Sequence, residues 1–66
     1  MSFQDLPHEI RNHIEWCEFW QNYPEVKEPT VGDCLLADAL VNAWEDGCSV
    51  AEIQAIWQHR RSLVAA

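Results

Sequence analysis

Apolar residues recur at helical spacing in three separate segments of the chain. In the first, Leu6, Ile10, Ile14, Cys17 and Trp20 follow one another at steps of three and four, which puts them on one face of a helix. This predicts a helix from about Leu6 to Gln21, with Asp5 as N-cap and Pro7 in the first turn, where its missing N–H is harmless. Tyr23-Pro24 stops it, because a residue before proline avoids the α region. A polar connector from Pro24 to Pro29 follows, extended by its two prolines.

The second segment opens at Thr30 with Asp33 three residues on, a capping-box-like start, and runs to about Glu45. Leu35, Leu36, Ala39, Leu40, Ala43 and Trp44 cover most of its circumference and leave Asp38, Asn42 and Glu45 as the wet stripe, the pattern of a central helix. Asp46-Gly47 ends it, with Gly47 suited to the left-handed position after a helix. Ser49-Val-Ala-Glu52 matches the S-x-x-E capping box and starts a third helix. Its buried stripe is Val50, Ile53, Ile56, Trp57 and Leu63. His59, Arg60 and Arg61 complement the negative end of its dipole. No segment reads as a strand. The expected fold is all-α: one compact three-helix domain over residues 1–66. Its expected core is Leu6, Ile10, Ile14, Cys17, Leu36, Leu40, Ala43, Trp44, Ile53, Ile56 and Trp57.

Size and charge then narrow the function. Sixty-six residues are near the lower limit for a single core without a metal, a disulfide or a partner. They also leave little scaffold for fixing a catalytic constellation, so the chain is not expected to be an enzyme. No Gly-rich phosphate loop and no nucleophile elbow occurs. A net charge of −7 disfavours nucleic acid and anionic membranes as partners. No apolar run reaches the roughly 18 residues of a membrane span, and the N-terminus lacks the basic and apolar regions of a signal peptide, which predicts a cytoplasmic protein. Cys17, Cys34 and Cys48 form no C-x-x-C pair and are expected as free, small, buried apolar residues. His13 and Cys17 lie one turn apart, but no second pair has ligand spacing, so neither a metal nor another cofactor is expected.

The charge is unevenly placed. All eleven acids lie in residues 1–52, while residues 53–66 carry Arg60 and Arg61 and no acid. Around the first helix, Phe19 points away from the Leu6–Ile10–Cys17 stripe and Trp16 sits at its edge, beside His8, Asn12 and Glu15. Aromatic groups among acids are the composition of an interface. The expected partner-binding residues are therefore Glu9, Glu15, Trp16, Glu18 and Phe19, and the expected partner is a larger protein with a basic surface. Stand-alone acidic domains of this size are a form in which phages and other mobile elements inhibit host machinery, and the expectation is an inhibitor or modulator of that kind. The alternatives are a homodimer through the first helix, which would enlarge a small core, or a connector that folds back and covers Phe19 with Tyr23 or Val26.

Residues Ala39–Gln58 resemble a helix-turn-helix: Ala43, Gly47, Cys48, Ile53 and Ile56 fill its small, glycine and apolar positions, and only Asn42 departs from the pattern. The resemblance implies a DNA-binding regulator, working as a dimer, that reads bases with Ala51, Gln54, Gln58 and Arg61. Against it stands the cation supply, only Arg11, Lys27, Arg60 and Arg61 for the whole chain. Leu6–Ile10 is also similar to the opening of an F-box, but the tail of that motif is missing.

Overall fold

The computed structural model describes residues 2–65, with side chains through Ser62. It is all-α: α1 spans His8–Phe19, α2 Val31–Glu45 and α3 Val50–Ala65. Single 3-10 turns stand at Phe3–Asp5 and Trp20–Asn22. Leu63, expected on the buried stripe of α3, lies outside the residues whose side chains are described. Among the described residues, no helix is long and apolar enough to cross a membrane.

The helix starts follow their local signals with one exception. Thr30 and Asp33 cap α2 reciprocally: the Asp33 N–H donates to Thr30 Oγ1 at 3.2 Å and the Thr30 N–H to Asp33 Oδ2 at 3.0 Å. Ser49 and Glu52 do the same for α3. The exception is α1. Asp5 is not its N-cap, because its carboxylate accepts from the Ser2 N–H and hydroxyl and closes the preceding 3-10 turn. Pro7 takes the N-cap position, and its carbonyl accepts from Ile10 and Arg11. The α-helix is therefore shorter at both ends than the sequence pattern implies, with a 3-10 turn completing its C-terminal end.

Between α2 and α3 the chain makes a Schellman turn. Gly47 adopts a φ of 85°, its N–H donates to Trp44 O at 3.1 Å, and the Cys48 N–H donates to Ala43 O at 3.0 Å. The positive φ is what requires glycine here. Ala43, Cys48, Ile53 and Ile56 all turn into or against the core, so this corner is compatible with the helix-turn-helix pattern.

The core is Leu6, Ile10, Ile14, Leu36, Leu40, Ala43 and Ile53, with α2 packed against both other helices. Ile10, Leu40 and Ile53 are wholly buried. Phe3, Val41, Trp44, Cys48, Ile56 and Trp57 pack around this cluster and are only partly buried. Cys17 also stays partly exposed and does not join it. The surface of α2 is less polar than the sequence implies. Val31 and Leu35 are 77% and 58% exposed and extend the outer stripe of Asp38, Asn42 and Glu45. α1 and α3 are the main neighbours of α2, and two helices cannot cover its whole apolar circumference.

Candidate functional site

The connector does fold back along α1. The Trp16 indole N–H donates to Lys27 O at 2.8 Å, and Pro29 is buried at the end of the segment. The Val26 N–H closes a turn onto Tyr23 O at 2.9 Å. Yet this segment does not cover the aromatics. Phe19, Tyr23 and Val26 remain 50%, 59% and 40% exposed. What forms is a groove of about 330 Å³. Asn12, Glu15, Trp16 and Phe19 of α1 line one side; Trp20 and Asn22 of the 3-10 turn, then Tyr23 and Val26, complete it. The two readings of Phe19, exposed or covered, resolve into a third arrangement, a half-open cleft.

The residues expected to bind a partner divide on this geometry. Glu15, Trp16 and Phe19 come together in the groove, with Asn12. The Asn12 amide is fixed by donating to His8 Nε2 at 2.9 Å. Glu9 and Glu18 are exposed on α1 but do not line the groove. They lie about a quarter-turn or more from Phe19 on the helix surface, so the five do not form one patch. Trp20, Asn22, Tyr23 and Val26 were not among the expected site residues. Val26, a lone apolar residue among charges between two prolines, was the available signal for the connector's contribution.

On the opposite side of α1, His13 and Cys17 both turn to α2. His13 Nε2 donates to Asp33 O at 2.9 Å and the Cys17 thiol to the same oxygen at 3.5 Å. Their polar atoms thus serve helix packing. Among the described residues, no group of three His, Cys, Asp or Glu side chains is placed to hold a metal ion. The Cys17 thiol is pushed up to about 12, first by burial and then by the neighbouring Cys34 and Asp33. A thiol so disposed is nearly all protonated at neutral pH and is a poor nucleophile.

On α3, Ala51, Gln54, Gln58 and Arg61 are all exposed, as base readout would require. The Arg61 guanidinium carbon, however, lies 5.4 Å from the centre of the Trp57 ring, an intramolecular cation–π contact. Of the other cations, Arg11 is held by Leu6 O at 3.1 Å and Gln4 Oε1 at 2.9 Å. No family model, curated protein or solved structure matches this chain.

Proposed function

We propose that this chain is a small acidic protein-interaction module, and that it modulates or inhibits a larger protein by occupying a basic part of its surface. One observation carries the reading: a half-open groove whose rim is Phe19, Tyr23 and Val26, all well exposed, with Glu15 in its wall. Exposed aromatics beside acids supply the anchor of an interface, and the acids around it supply steering and orientation. Glu9 and Glu18 belong to that outer field rather than to the contact itself. With an overall charge of −7, association with a basic surface is accelerated at low salt. An inhibitor of host machinery encoded by a phage or other mobile element is the biological setting that fits such a module.

The test is affinity capture from the native host with three baits: wild type, Phe19→Ala/Tyr23→Ala, and Glu9→Lys/Glu15→Lys/Glu18→Lys. A partner retained by wild type and lost by both variants, with binding weakened by salt, is the expected result. An unchanged set of captured proteins with both variants overturns the proposal.

The exposed row Ala51, Gln54, Gln58 and Arg61, following the Gly47 corner, favours a second reading as a dimeric DNA-binding regulator. It expects a duplex shift at low salt that Gln54→Ala and Arg61→Ala abolish. Absence of any shift with fragments of the native genome dismisses it.

A further inference from the structure

Four of the chain's seven aromatic side chains, Trp16, Phe19, Trp20 and Tyr23, line this one groove, and the one carboxylate among the lining residues is Glu15. That combination is selective. Aromatic faces carry negative quadrupole potential and attract a cation above the ring, with arginine the commonest biological occupant. A guanidinium also stacks flat on a ring and presents a fork of N–H groups that matches a carboxylate. A neutral apolar side chain would use the rings but make no bond to the Glu15 carboxylate, which stays exposed. The surroundings point the same way: Glu18 on α1 and Glu25 and Glu28 on the connector are exposed on the elements that form the groove. Arg11, the one cation of α1, is spent on Leu6 O and Gln4, and Lys27, the one cation of the connector, is exposed there between Glu25 and Glu28. At about 330 Å³ the groove is at the small end of ligand pockets, a size for one long side chain rather than a helix or a strand.

We infer that the groove of α1 and the connector is a receptor for a single arginine side chain of a partner protein, its guanidinium against the Trp16, Phe19 and Tyr23 rings and paired with Glu15. This rests on the interaction-module reading and gives its partner a chemical identity: a protein that presents an exposed arginine in a basic surface.

Three small molecules test it on the whole chain. Acetyl-arginine amide is titrated into isotopically labelled protein, followed by its neutral isostere acetyl-citrulline amide and by acetyl-norleucine amide. The Trp16 and Trp20 indole signals and the Asn12 side-chain amide report on the groove. Saturable shifts with the arginine compound are expected, with binding about tenfold weaker for citrulline, the factor that corresponds to losing a cation–π contact of ordinary strength. Glu15→Gln, an exposed substitution, should keep the circular dichroism spectrum and weaken arginine binding by a similar factor. Equal or stronger binding of norleucine overturns the arginine assignment while leaving an apolar docking groove, and with it the interaction module, intact. No shift at these signals with any of the three overturns both.

Discussion

The bond from Trp16 to Lys27 O ties the connector to α1, and Trp16→Phe removes that bond while keeping an aromatic ring at the position. The indole N–H donates at 2.8 Å to a backbone carbonyl in an exposed setting, so water replaces it when it is lost. A bond of this kind contributes about 0.5–1.5 kcal/mol, and the exposed setting puts it in the lower half of that range, about 0.5–1 kcal/mol. For a domain of 60–100 residues this corresponds to a fall of about 2–8 °C in Tm. The effect should be local as well as global. The Val26 amide, which donates to Tyr23 O at 2.9 Å, lies in the segment that the indole holds against α1. Its hydrogen exchange should accelerate several-fold more than that of amides in α2. Thermal unfolding by circular dichroism at 222 nm and residue-resolved exchange measure the two together. A variant with unchanged Tm and unchanged Val26 exchange would show that the connector lies on α1 without needing this tether. The groove would then be a consequence of Pro29 burial alone.

Three further predictions concern the scaffold. Leu40→Ala, at a wholly buried position, should cost about 2–5 kcal/mol against a total stability of roughly 3–5 kcal/mol for a core of this size, so the variant should lose most of its stability and melt at a much lower temperature; an unchanged Tm contradicts this. Gly47→Ala meets no atom within 4 Å, so its cost is backbone conformation alone, about 1–2 kcal/mol at the positive φ of 85°; an unshifted urea midpoint would refute that account. The Cys17 thiol, pushed up to about 12 from an ordinary 9.0, should be alkylated by iodoacetamide at a rate that rises about tenfold per pH unit from pH 8 and shows no plateau by pH 10. The same shift makes stability fall as pH rises from 9 towards 12, since the native state holds a proton there that the unfolded chain has released. The advantage of wild type over Cys17→Ala in urea midpoint should therefore shrink over that range, and a constant difference would refute the linkage.

The three helices and most of their boundaries could be read from the residues alone. The reason is that Thr30 with Asp33, Ser49 with Glu52, and Gly47 are local devices: each satisfies or redirects backbone groups within a few residues, so nothing distant is needed to read it. The apolar stripe of Leu6, Ile10 and Ile14 was legible for the same reason, through the fixed period of the helix. Competition for shared groups, by contrast, was settled by packing. Asp5 had two turns it could serve, and the 3-10 turn with Ser2 took its carboxylate from the start of α1. Val31 and Leu35 were left in solvent because two neighbouring helices cannot cover every apolar side of α2. The groove was legible only in part: a connector folding back onto Phe19 with Tyr23 or Val26 was one of the expected alternatives, but the open cleft it leaves was not. It depends on an indole N–H reaching a carbonyl far along the chain, and helical periodicity has no term for where a proline-bounded connector comes to rest. Periodicity placed Glu15, Trp16 and Phe19 near one another on α1; the fold added Tyr23 and Val26 and made of them a cleft.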